Sequence, residues 1–139
     1  MLVRNDCHCH TTFSDGSLTV NELLNLAKER NLSGLSITDH DTIDAYKSAL
    51  PLAASLNLEM VSGIEISTEL GRTSIHVLGY GFDLNSPHLL KFCHQLQSER
   101  EARNAKILER LAKIKMPITM EELRERFGGG TIGRPHIAK

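Results

Sequence analysis

Six residues among the first 76 are of kinds that bind metal ions: His8, His10, Asp15, His40, Glu65 and His76. In an extended strand side chains alternate faces, so His8 and His10 point the same way and can hold one ion between them, while Cys7 and Cys9 point the other way. Asp15 follows in the polar stretch 11–17, and Asp39-His40 follows the next β-prone run. Glu65 lies within Gly63-Ile-Glu-Ile-Ser67 and His76 within Ser74-Ile-His-Val-Leu78. A carboxylate in such an apolar run is costly to bury unless paired or bound to a cation. Taken singly, His8 and His10 read equally well as ordinary histidines at a strand end, and Glu65 and His76 read more often as satisfied core polar groups than as ligands. Together they make a mixed imidazole and carboxylate set that suits Zn, Mn or Fe better than the all-oxygen cage of calcium. A structural zinc site on Cys7 and Cys9 would need a second close Cys/His pair. Cys93-His94 falls in a helical segment far along the chain, so the two early cysteines read as small packing residues.

Positioning these groups requires alternating strands and helices. An apolar start at Leu2-Val3 leads into the His-x-His strand, and Thr19-Val-Asn-Glu22 has capping-box spacing for a helix that runs to Asn31. Leu35-Ser-Ile-Thr38 is a second short strand, and a helix is expected over 42–56, bent or broken at Pro51. Two β-branched stretches, 59–67 and 73–79, are expected to pair across a turn at Gly71-Arg72. One long helical run spans 86–115. It is apolar at Leu89, Phe92, Cys93 and Leu96 and again at Ile107, Leu108, Leu111 and Ile114, with Arg100, Arg103 and Asn104 in the register between. Thr119-Met-Glu-Glu122 opens a short helix that Gly128-Gly-Gly130 ends, and Gly133-Arg-Pro-His136 opens another, with Pro135 in its first turn. The order is that of an α/β domain with a largely parallel sheet, in which the polar clusters follow the C-terminal ends of strands.

Composition narrows the function classes. With 139 residues and 40% hydrophobic content, the chain can build one packed domain. A net charge of −1 offers no general field for polyanions, and two Tyr, four Phe and no Trp argue against a base-stacking platform. No apolar run reaches the roughly 18 residues that a membrane span needs, and the first residues lack the order of a signal peptide. Three cysteines do not make a disulfide framework. A cytoplasmic protein, without membrane or stable protein partner, is the expectation.

Four segments form a recognisable series: Asp6-Cys-His-Cys-His-Thr-Thr-Phe-Ser-Asp-Gly16, Ile37-Thr-Asp-His-Asp41, Gly63-Ile-Glu65 and His76-Val-Leu-Gly-Tyr80. In order and over nearly the whole chain, they resemble the motifs of the PHP (polymerase and histidinol phosphatase) family. The branch they look most like is that of stand-alone phosphoesterases acting on nucleoside phosphates and short oligonucleotides, where a Gly-Arg-Pro-His segment also occurs in a helical insertion. The resemblance implies an α/β fold: the N-terminal part of a distorted (β/α)7 barrel over 1–85, and a helical insertion over 86–139. It also implies up to three divalent ions, Mn, Zn or Fe. His8 and His10 would share one with Glu65, Asp15 and His40 would hold another, and Glu65 with His76 would hold the third. Asp39 would orient a ligating histidine.

Glu65, His40 and Asp15 would then stand at the chemistry, hydrolysis of a nucleotide or oligonucleotide phosphate ester in which the ions acidify water and neutralise developing charge. Arg100, Arg103, Arg134 and His136 are the candidates for holding substrate; the alternative for the arginines is a solvated helix face. Two other functions are weighed against this one. A histidinol-phosphate phosphatase fits less well with Thr38-Asp-His-Asp41 and Gly133-Arg-Pro-His136. A non-catalytic metal-binding module would resemble degenerate PHP domains within polymerases. The family's later ligands, a His or Cys and an Asp-x-His pair, do not occur in these 139 residues. The expectation is therefore a marginally stable chain with an open sheet edge, weakened metal binding and slow or absent hydrolysis, restored by a downstream segment.

Overall fold

The computed structural model describes residues 3–71 and 73–139. Its elements are β1 (Asn5–Cys9), α1 (Val20–Glu29), β2 (Gly34–Ile37), α2 (Tyr46–Ser55), β3 (Glu59–Met60), β4 (Gly63–Leu70), β5 (Thr73–Tyr80), α3 (Pro87–Lys113), α4 (Met120–Phe127) and α5 (Arg134–Ala138). Leu2, expected to open the first strand, and Arg72, expected in the hairpin turn, lie outside the described residues.

The first three strands form a parallel sheet in the order β1-β2-β3, with α1 and α2 as crossovers packed on each other. Thr19 and Glu22 close the expected capping box on α1, which buries Val20, Leu24 and Ala27. Those side chains meet Leu35 and Ile37 of β2, Tyr46, Ala49 and Ala53 of α2, and Ile64 of β4 in one core. The helix expected over 42–56 starts only at Tyr46 and runs through Pro51 without a break. A proline there removes one intrahelical hydrogen bond, and docking of Tyr46, Ala49 and Ala53 on the core offsets that loss.

The strand expected over 59–67 divides in two. Glu59 and Met60 pair with Gly34 and Leu35, then the chain leaves the ladder at Val61-Ser62 and resumes at Gly63 as β4, an antiparallel partner of β5. The first three strands are thus a parallel sheet and the last pair a separate antiparallel one, linked by the bridge between His40 and Glu65. Glu65 N donates to Asp39 O (3.3 Å) and Asp41 N to Glu65 O (3.0 Å), so β4 continues past the end of β2. The Tyr46 hydroxyl fills the break: it accepts from Gly63 N (2.7 Å) and Ile37 N (3.1 Å), with Ile37 O and Val61 O within reach as acceptors. Gly63 is needed at this crossing, because a Cβ would lie 2.1 Å from Ser36 Oγ.

Beyond the hairpin, α3 buries Cys93, Arg100 and Asn104, which with Gln97 follow one another at helical spacing. The face that changes from apolar to polar along the sequence therefore stays turned toward the protein. Thr119 and Glu122 cap α4 as expected. On its outer side β1 has no partner strand among the described residues, and Leu70, Ile75, Val77, Leu78 and Tyr80 are exposed, in keeping with the expected open edge.

Candidate metal centre

All six expected ligands converge at the C-terminal ends of the parallel strands. Glu65, only 6% exposed, is at the centre. Its Oε2 lies 3.0 Å from both His8 Nε2 and His10 Nε2, and its Oε1 lies 2.6 Å from His76 Nδ1. His40 Nε2 is 3.6 Å from Asp15 Oδ2 and 3.9 Å from Glu65 Oε2, and Asp15 Oδ1 is 3.3 Å from His10 Nδ1. Three triads have all their ligand atoms within 4.8 Å of one another: His8/His10/Glu65, His10/Asp15/His40 and His40/Glu65/His76. The first is the grouping that the family resemblance implies. The other two add His10 to the Asp15 and His40 pair, and His40 to the Glu65 and His76 pair.

The donor set fits a divalent cation. Burial pushes the Glu65 carboxyl up, but bonds from His8 and His76 and the nearby His40 and His10 outweigh it and hold the group below the usual range. Burial lowers the pKa of His40, favouring the neutral ring that can ligate, while Asp15 and Glu65 act in the opposite direction. Its Nδ1 is buried with no hydrogen-bond partner among the described residues, so protein groups alone do not satisfy this ring.

Asp39 does not bond a histidine directly. It is 1% exposed and accepts from Thr11 N (2.7 Å), Thr11 Oγ1 (2.6 Å) and Ser14 Oγ (2.6 Å). Ser14 Oγ lies 3.3 Å from His10 Nδ1, so the carboxylate reaches that ring through a hydroxyl and fixes the loop after β1. Cys9 packs against the core as expected, whereas Cys7 is exposed.

Three of the four residues expected to touch substrate share a cavity with part of the cluster. This cavity, of about 160 Å³, is lined by Asp15, His40 and His76 together with Arg100, Arg103 and Arg134. The solvated-face alternative does not describe Arg100 or Arg103, whereas Arg134 is exposed. Arg100 is 8% exposed and bonded to Asp41 and Ser67. Arg103 Nε is buried without a partner, and burial together with Arg100 and Arg134 lowers its pKa. The segment before α5 is held close by Thr131 N donating to Phe13 O (2.8 Å) and Asn104 Nδ2 donating to Ile132 O (2.8 Å). Gly130 permits this approach, since a Cβ would lie 2.2 Å from Thr12 O. His136 is buried, and its Nδ1 accepts from Gly133 N (3.0 Å), leaving Nε2 to carry the ring proton.

Sequence reasoning assigns no part to Asp41, Ser67, Ser14, Thr11 or Asn104. Asp41 stands beside His40 in the Ile37-Thr-Asp-His-Asp41 motif, but its left-handed backbone (φ 58°) and its partners on β4 and α3 are tertiary facts.

Comparisons with known proteins bear on the family and the fold. The PHP domain model matches residues 6–129. A 5'-3' exoribonuclease Rnm of Salmonella typhimurium is 38% identical over 136 residues, covering 96% of this chain and 46% of that protein. A 3',5'-nucleoside bisphosphate phosphatase of Chromobacterium violaceum is 31% identical over 142 residues, covering 96% and 47%. A Bifidobacterium adolescentis crystal structure, provisionally described as a metal-dependent phosphoesterase, superposes with a TM-score of 0.87 at 32% identity, covering 97% of this chain and 48% of that one. The chain spans about half the length of the curated relatives it matches. With a family model over most of its length, and the same fold in a solved relative, this chain belongs to the PHP domain family.

Proposed function

We propose that this chain carries the metal-binding half of a phosphoesterase that hydrolyses phosphate esters of nucleotides or short oligonucleotides. One observation carries the reading: three of the six clustered ligands, Asp15, His40 and His76, share a small cavity with Arg103 and Arg134, which have no carboxylate partner there. Arg103 and Arg134 are in no ion pair among the described residues, and the buried Arg103 Nε is unpartnered. An uncompensated cationic group is costly to bury, and an anion offsets that cost. A phosphate in this cavity would meet the ligand cluster and the guanidinium groups of Arg103 and Arg134, with Arg100 lining the same space. The names of the relatives, an exoribonuclease and a nucleoside bisphosphate phosphatase, fit a substrate of this class.

His8, His10, Asp15, His40, Glu65 and His76 would hold up to three divalent ions, Mn, Zn or Fe. Such ions would acidify water and neutralise charge developing on the phosphoryl oxygens. Around them the protein's own groups do the positioning. Glu65 gathers the imidazoles of His8, His10 and His76, and Asp39 with Ser14 sets the His10 ring. Residues 1–85 form the barrel portion in this reading and residues 86–139 the helical insertion that covers the site. Among the described residues no helix is long and apolar enough to cross a membrane.

Metal analysis of the purified chain, followed by a phosphate-release screen with Mn or Zn over mononucleotides, bisphosphates and 5'-phosphorylated RNA, tests the proposal. Bound metal and metal-dependent release from at least one of these classes are expected, in the chain alone or in a version extended by a relative's second half. Absence of bound metal, or no release from either form, would sink it.

A further inference from the structure

Where the helical segment meets the barrel, the joint is polar and sits one residue from a metal-ligand candidate. Asp41 is 1% exposed and adopts a left-handed backbone that asparagine and aspartate tolerate best. Its Oδ1 accepts from Ser67 N (2.8 Å) on β4. Its Oδ2 accepts from Arg100 Nε (2.9 Å) and Nη2 on α3, and its backbone oxygen accepts from Gln97 Nε2 (3.3 Å) one turn earlier on the same helix. Arg100 Nη2 also donates to Ser67 Oγ. Asp41 N donates to Glu65 O, so the same residue grips the strand that carries the central carboxylate. Fixed in this way, α3 places Arg103 one turn beyond Arg100, and Asn104 on the next position holds Ile132 ahead of α5.

We propose that Asp41, Arg100 and Ser67 form a positioning latch that registers α3 against β4, so that Arg103 and Arg134 share one cavity with the ligand cluster. Arg100 acts through Asp41 rather than by holding substrate itself. The proposal rests on the anion-binding reading of Arg103 and Arg134 and adds to it a device that sets their geometry. A buried ion pair in which two guanidinium donors converge on Asp41 Oδ2 while Oδ1 holds Ser67 N suits a latch, because breaking it leaves an uncompensated charge and the shared carboxylate ties helix to strand.

The test uses the 139-residue chain with Mn(II), and with adenosine 5'-monophosphate as the probe. Mn(II) affinity, AMP affinity and amide hydrogen exchange are compared in wild type, Asp41→Asn, Arg100→Gln, the double variant and Arg103→Ala. Each single latch variant is expected to weaken AMP binding about 10-fold or more, to leave Mn(II) affinity within about threefold, and to speed exchange over 97–104 and 130–136. The double variant should be no worse than either single one, because the two side chains act as a unit. Arg100→Lys, which keeps the charge but not the fork, should fall in between and serves where Arg100→Gln does not fold. Retained AMP affinity with unchanged exchange would overturn the latch, as would a parallel loss of Mn(II) and AMP binding, which marks a purely structural pair. Arg103→Ala separates the two ideas. If it leaves AMP binding intact the anion-site reading fails, while faster exchange in the latch variants still reports on the latch.

Discussion

At Glu65 one buried carboxylate meets three imidazole nitrogens within 3.0 Å, and a fourth ring stands close behind. Removing its charge disturbs both triads it joins, whereas removing the Arg103 guanidinium disturbs only the proposed substrate contact. Glu65→Gln should therefore strip tightly bound metal and cut metal-dependent phosphate release by more than about 100-fold, since even outer partners of metal ligands are worth 10–100-fold. Arg103→Ala should leave metal content intact and cost about 10-fold in release. Metal analysis beside a turnover assay separates the two, and equal loss of metal in both variants would remove the bridging role from Glu65. The donors themselves were legible as residue types on alternating positions; their distances were not, because four of the six come from different strands or loops.

Among the elements, the break between β3 and β4 departs furthest from a reading by periodicity. The run 59–67 reads as one strand because Val61, Ile64 and Ile66 satisfy strand propensity on both sides of the break, and the Ser62-Gly63 pair is its one local sign. What makes the break tolerable is a side chain from another element, the Tyr46 hydroxyl, which takes up Gly63 N and Ile37 N. Tyr46→Phe keeps the ring volume and orphans those buried amides, so it should destabilise the fold by about 2–3 kcal/mol. Denaturant unfolding monitored by circular dichroism measures this. A shift below roughly 0.5 kcal/mol, the size of an ordinary surface change, would show that the hydroxyl carries no such burden. Helices α1 and α4 behave otherwise: their Thr-x-x-Glu boxes are local signals, and both form where the sequence places them.

For the molecule as a whole, the question is how firmly the helical segment is seated on the α/β unit. Cys93 of α3 lies in that contact, 4% exposed, with its thiol pushed up to about 11 by burial and by the charges of Asp41 and Asp44. Cys9 is pushed up to about 12 by burial and Asp6, while Cys7 is exposed. Because the thiolate is the reactive form, a disulfide reagent at pH 8 should label one cysteine per folded chain quickly, at Cys7, and all three only after unfolding. Mass mapping of the label identifies the sites. Rapid labelling of Cys93 in the folded chain would mean that α3 is not docked as described.

By itself the sequence determined the α/β class, the capped helices, the six ligand types and the resemblance to a known family, because these rest on local spacing and on motifs contiguous in the chain. It left Arg100 and Arg103 between a substrate role and a solvated face, since both readings give the same pattern on a helix. Only the tertiary structure decided that β3 and β4 part, that Asp39 reaches His10 through Ser14, and that Arg100 is paired with Asp41 while Arg103 is not. Each of these depends on which groups share a desolvated space, and that is set by packing between elements, across separations of 9 to 59 residues, where no local periodicity reaches.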